Sequence, residues 1–96
     1  MKNAFHGTAR KIIRTDTAAG VRVEYCYHNT AVVRSRPDGT IALHSGGWQT
    51  ATTKRAINQA LEDLDRSERV KQIDGSWFIC NGPHRLKFFD DIVLTT

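Results

Sequence analysis

Thr50-Ala51-Thr52-Thr53-Lys54-Arg55-Ala56-Ile57-Asn58-Gln59-Ala60-Leu61-Glu62-Asp63-Leu64 is where the hydrophobic rhythm of the chain changes. Ile57, Ala60, Leu61 and Leu64 stand at i, i+3, i+4 and i+7, one stripe of a helix, while Lys54, Arg55, Asn58, Gln59, Glu62 and Asp63 take the opposite side. The spacing predicts one amphipathic helix over about 52–66. Thr52 or Thr53 is placed to cap its start by accepting a free backbone N–H, and Arg66 lies at its dipole-compatible end. Glu62, Asp63 and Asp65 fan out around the helix axis and read as a solvated face, not as a metal site.

On either side of this stretch the period is two. Val21, Val23, Tyr25 and Tyr27 alternate with Arg22, Glu24 and Cys26, the pattern of a half-buried strand. Before it, Arg10–Arg14 carries Ile12-Ile13, and Thr15–Gly20 reads as a turn. After it come Thr30–Arg36, the turn Pro37-Asp38-Gly39, and Thr40–His44, an antiparallel meander. Downstream of the helix, Arg69–Ile73, the turn Asp74-Gly75 and Ser76–Cys80 make a second hairpin centred on Trp77. Arg85–Phe89 and Ile92–Leu94 are further short strands. The expected architecture is α+β: an antiparallel sheet of five to seven short strands with one helix packed on it. Residues 1–96 form a single domain, with 1–9 a loose arm short of apolar periodicity.

With 96 residues, 40% apolar and 25% charged, the composition is that of an ordinary globular domain and excludes disorder and most large enzyme scaffolds. No apolar run approaches the ~20 residues that cross a bilayer, and Met1-Lys2-Asn3-Ala4-Phe5-His6-Gly7 lacks the hydrophobic stretch of a secretion signal, so the cytoplasm is the expected location. Charge is uneven. Nine basic and three acidic residues in 1–60 give +6, whereas five basic and seven acidic residues in 61–96 give −2. Such a basic surface attracts nucleic acid or an acidic protein face, or is simply solvated. Arg10, Lys11, Arg22, Arg34, Arg36, Lys54 and Arg55 are its candidate contacts.

Cys26 and Cys80 are two free thiols in a reducing compartment. With His28 and His84 they make up the ligand types of a tetrahedral zinc site, but Cys26-Tyr27-His28 on a strand is not the two-to-four-residue knuckle such sites use, and ordinary buried cysteines are expected. No cofactor is implied. Ser45-Gly46-Gly47-Trp48, with Thr53, Lys54 and Arg55 at the helix start, places small residues, hydroxyls and cations where a phosphate contact forms. It is not a P-loop, and its glycines equally serve to turn the backbone from strand to helix. Trp48 stacks on a base or fills the seam between helix and sheet; core packing is the expectation for both tryptophans. Cys26 with His84, or Ser45 with His44, lacks the oxyanion donors and nucleophile elbow of covalent catalysis, so no enzyme is expected.

The run from Asp38 through Ser45-Gly46-Gly47-Trp48-Gln49-Thr50-Ala51-Thr52-Thr53-Lys54 to Asn58, the strand around Trp77, and Phe88-Phe89-Asp90-Asp91-Ile92-Val93-Leu94 resemble small phage and prophage proteins sharing a Ser-Gly-Gly-Trp-x-Thr-x-Thr-Thr-Lys core. The resemblance covers about residues 28–96 and departs from the pattern at Asp90-Asp91, where Asp-Gly is expected. It carries no catalytic residues. It implies a phage-encoded accessory protein that binds and blocks a host machine, such as a CRISPR defence complex or the transcription apparatus, with a host protein or ribonucleoprotein as partner. Direct binding of DNA or RNA through the basic surface of residues 10–55 is the alternative, with affinity falling steeply in salt. The strand edge at Arg10–Arg14 is suited to pairing with another copy or a partner strand, although its cations are also those of a protected edge.

Overall fold

The computed structural model describes residues 3–95, which form eight strands and one helix. In chain order these are β1 (Arg10–Thr17), β2 (Gly20–Tyr27), β3 (Thr30–Ser35), β4 (Ile41–Leu43), α1 (Ala51–Asp63), β5 (Arg69–Ile73), β6 (Ser76–Asn81), β7 (His84–Lys87) and β8 (Ile92–Leu94). Every pairing is antiparallel, and the α+β class read from the sequence is the class observed. The strands divide into two sheets, β1-β2-β3-β4-β8 and β5-β6-β7. Periodicity identifies strands but not sheet membership: β8 returns past the second hairpin to pair with β4, Leu43 lying opposite Ile92.

The register places Val23, Tyr25, Val33, Ile41, Leu43, Ile92 and Leu94 on one face of the larger sheet, and all seven are buried. The apolar stripe of α1, Ala56, Ile57, Ala60 and Leu61, belongs to the same core, as do Val70, Trp77, Ile79 and Phe88 from the second hairpin and its flank. Trp77 meets Phe88 edge-on with ring centroids 5.2 Å apart.

The ends of α1 shift from their expected positions. Thr50 is the N-cap, its hydroxyl accepting the Thr53 N–H at 3.3 Å, so the cap precedes Thr52 and Thr53. The helix stops at Asp63 with Leu64 as C-cap, because Asp65 turns into the left-handed region at φ 61°. Arg66 therefore lies beyond the helix, paired with Glu68 at 2.7 Å. That pairing holds the Glu68 carboxyl below its usual pKa, the guanidinium hydrogen bond outweighing partial burial.

Asp63 is not on a solvated face. Only 1% exposed, it accepts the Tyr25 hydroxyl at 2.6 Å and the Ala4 N–H at 3.0 Å. Burial pushes the Tyr25 hydroxyl well above the ordinary tyrosine pKa, and the Asp63 hydrogen bond and charge add to the shift. The expected loose arm is also corrected from residue 4 onward: Phe5, 6% exposed, stands edge-on to Tyr25 at 5.0 Å. Met1 and Lys2, the first residues of that arm, lie outside the described residues. Asn58, on the polar side of the helix, accepts the Val70 N–H at 2.7 Å and donates to the Val70 carbonyl at 2.9 Å, so one side chain ties α1 to the edge of β5.

Candidate partner-binding cleft

Two reversals of the chain face each other beside the start of α1. In the first, Tyr27 ends β2 and His28 enters the left-handed region at φ 55°, its ring 4.5 Å from that of Tyr27. In the second, Gly46 and Gly47 follow β4 with φ 70° and 83°. A Cβ on Gly46 would come within 3.0 Å of the Thr30 methyl, so both conformation and close approach require glycine there. Between them opens a cleft of about 330 Å³, lined by Tyr27, His28, Thr30 and Val32 on one side and by Ser45, Trp48, Thr50, Thr52 and Thr53 on the other. That volume lies at the lower end of the range of ligand-binding clefts.

Trp48 overturns the expectation of core packing. It is 72% exposed, the most open large apolar side chain among the described residues, and stands at the rim of this cleft. The loop beneath it is braced. The Ser45 amide and hydroxyl both donate to Asp90, at 2.8 and 2.7 Å, and the Gly47 N–H donates to the Ser45 hydroxyl at 3.2 Å. Partial burial works to raise the Asp90 carboxyl; the two Ser45 bonds outweigh it and hold the group below its usual pKa. Ser45 is thus committed to a carboxylate, which opposes a phosphate at that point. Thr53 is buried and its hydroxyl lies 3.0 Å from that of Thr50.

Of the other candidate residues, the seven cations do not form one track. Alternation along the strands puts Lys11, Arg22 and Arg34 on the sheet face away from α1, where Glu24 lies 3.0 Å from Arg34 and 4.0 Å from Arg22. Arg10 points to the opposite face, donating to Gln59 Oε1 at 2.7 Å and covering the Tyr27 ring at 4.9 Å. Arg36 belongs to the turn before β4, and Lys54 and Arg55 border a shallow depression on α1 shared with Glu62 and Arg69. Cys26 and His28 are on or beside β2 in one sheet, whereas Cys80 and His84 are in the other. Among the described residues no group of three or more His, Cys, Asp or Glu is placed to hold a metal ion. Both cysteines are free, and burial raises the Cys26 thiol pKa.

The structure adds Tyr27, Thr30, Val32, Thr50 and Thr52 to the cleft, and brings to it His28, which the sequence offered only as a metal ligand. The reversal His28-Asn29 directly after the clearest strand was the available signal; nothing in local spacing pairs it with a loop some twenty residues on.

One comparison bears on what kind of protein carries this cleft: the family model of the Kyanoviridae Gp96 protein matches residues 2–95. The chain belongs to the Kyanoviridae Gp96 protein family. The Gp96 family is a phage protein family, and its match includes the β1–β2 hairpin as well as the region from residue 28 onward. No curated protein and no solved structure matches the chain significantly. At the departure from the expected Asp-Gly pattern, Asp91 sits at φ 67°, the left-handed conformation that favours glycine and that aspartate tolerates better than most residues. Among the described residues no helix is long and apolar enough to cross a membrane.

Proposed function

We propose that this phage protein is a non-enzymatic binding protein that acts in the host cytoplasm by docking on a host protein or ribonucleoprotein machine and blocking it, a CRISPR defence complex or the transcription apparatus being the class of target. The observation that carries this reading is Trp48, held out at 72% exposure on a braced loop above a cleft lined by Tyr27 and His28. Tryptophan is the residue type that most often dominates a protein interface, where truncating it costs about 2 kcal/mol or more. A Trp on a rigid rim loses little conformational freedom when it is covered. The cleft beside it takes a projecting side chain of the partner. Direct binding of DNA or RNA is less well supported, because the cations are divided between sheet faces and Glu24 sits among three of them.

Affinity capture from host lysate with the wild-type protein and Trp48→Ala, each with and without nuclease, tests this. A discrete host component retained by the wild type after nuclease, and lost at least tenfold by Trp48→Ala, is the expected result. Loss of all partners on nuclease treatment would replace this reading with nucleic-acid binding. Equal capture by both proteins would remove the cleft from it.

A further inference from the structure

We propose that β1 pairs with β1 of a second copy of this chain, antiparallel about a two-fold axis at Ile13, joining two five-stranded sheets into one continuous sheet. The open edges differ in what they offer. β8 has three residues and β7 four, and on β5 the Val70 N–H and carbonyl are already taken by Asn58. β1 is an edge of eight residues, and Ile12 and Ile13 stand 38% and 39% exposed on its two faces.

Backbone geometry limits the registers available. The His28 N–H donates to the Ala9 carbonyl at 2.7 Å and His28 lies in register with Ala9, one step beyond the pair Arg10–Tyr27. Hydrogen-bonded pairs alternate in an antiparallel ladder, so odd-numbered residues of β1 bond to β2. Arg10, Ile12, Arg14 and Asp16 turn their backbone N–H and carbonyl groups to the open edge. A second β1 can pair there only in registers that set even residues opposite even residues.

Charge then selects among these. With Ile12 opposite Ile12 of the second copy, Arg10 faces Arg14. With Arg14 at the axis, two guanidinium groups meet directly. Placing Ile13 opposite Ile13 sets Asp16 of the second copy beside Arg10, whose Nε and Nη1 donate to Gln59 and to the Thr8 carbonyl within its own chain and whose positive charge lies on the same sheet face as Asp16. By symmetry this occurs twice, while Lys11 faces Thr15 and Ile12 faces Arg14. Both isoleucines at the axis cover each other on the face away from α1, in the closer, non-hydrogen-bonded kind of pair. Moving the axis to Thr15 also sets Arg14 against Asp16 but pairs only residues 13–17, whereas the axis at Ile13 pairs residues 10–16. Like charge opposes the registers centred on Ile12 and Arg14, and the Ile13 register joins opposite charge to the longer ladder. A two-fold arrangement of this kind closes on itself and does not propagate into a fibre.

Sedimentation equilibrium of the full chain from micromolar to millimolar concentration, with Asp16→Arg beside the wild type, gives the first test. The wild type is expected to dimerise, and Asp16→Arg to raise the dissociation constant by at least about tenfold, since it reverses two symmetric charge pairs. Register is read by Ile13→Cys and Thr15→Cys, each in a Cys80→Ser background under a glutathione redox buffer. Residues at the axis lie ~4.5–5.5 Å apart, within disulfide reach, whereas the two copies of residue 15 are separated by roughly 14 Å. Ile13→Cys should form a covalent dimer and Thr15→Cys should not. A wild type that stays monomeric throughout, an Asp16→Arg variant that dimerises equally, or cross-linking at residue 15 as efficient as at residue 13 would each overturn the proposal. Far-UV circular dichroism establishes that each variant remains folded.

Discussion

Replacing Tyr25 with Phe removes one oxygen atom from the centre of the protein. That oxygen lies 2.6 Å from Asp63 Oδ2, and both residues are buried. A hydrogen bond to a charged group contributes about 1.5–3 kcal/mol, and the carboxylate that loses its donor keeps its desolvation cost, so the upper half of that range, about 2–3 kcal/mol, is expected. Domains of this size have some 5–15 kcal/mol in all, and each kilocalorie moves the melting temperature by about 4–8 °C. The variant should therefore melt roughly 8–24 °C below the wild type. Urea unfolding should show a lower midpoint with an unchanged slope, because the surface exposed on unfolding is nearly the same.

The same bond predicts an alkaline signature. The folded protein holds the Tyr25 proton more tightly than the unfolded chain does, so this stability is whole below the ordinary tyrosine pKa of about 10 and declines as pH rises above it. Tyr25→Phe should flatten that decline. A loss of less than about 0.5 kcal/mol at neutral pH, the scale of an ordinary surface substitution, would refute the assignment of Asp63 and Tyr25 as an energetically coupled buried pair.

Asn58→Ala should destabilise by about 2 kcal/mol through its two bonds to Val70, and hydrogen exchange should accelerate at the Val70 amide more than at Tyr25 or Val33. Thr50→Ala should cost about 1 kcal/mol of thermal or urea stability as the lost helix cap, while Thr52→Ala stays within about 0.5 kcal/mol. Trp48→Ala should leave the unfolding free energy from urea titration within about 0.5 kcal/mol of the wild type, because its indole is exposed; a large loss would mean that the side chain packs.

The elements that could be read from the sequence are those whose information is local. The Ile57, Ala60, Leu61 and Leu64 stripe, the alternation from Val21 to Tyr27, and the turns at Asp38-Gly39 and Asp74-Gly75 all report their own conformation within a few residues. What could not be read depends on partners distant in the chain. Asp63 resembles Glu62 until Tyr25 and Ala4 converge on it from elsewhere in the sequence. Phe5 is one aromatic in a polar stretch, and only the edge of the Tyr25 ring makes it core. Trp48 has the composition of a core residue and is exposed because Gly46 and Gly47 turn its loop outward. The seven cations were legible as a charge excess, but their distribution over two faces follows from a strand register that composition does not contain. The cleft was half legible: Ser45, Trp48 and Thr53 lie along one loop, and the Tyr27–Val32 wall comes from a separate hairpin.

The pairing of β4 with β8 also orders events in time. β4 is made early, yet its outer neighbour follows only after the helix and three further strands have left the ribosome. Until then Ile41 and Leu43 have no strand on that side, and closing the large loop costs entropy before any ladder bond rewards it. The smaller sheet, built from adjacent hairpins, has no such wait and can form as a local unit against α1. A nascent chain halted before β8 should leave the backbone groups on the outer side of β4 unpaired, a strand edge open to the wrong partner until the last strand arrives.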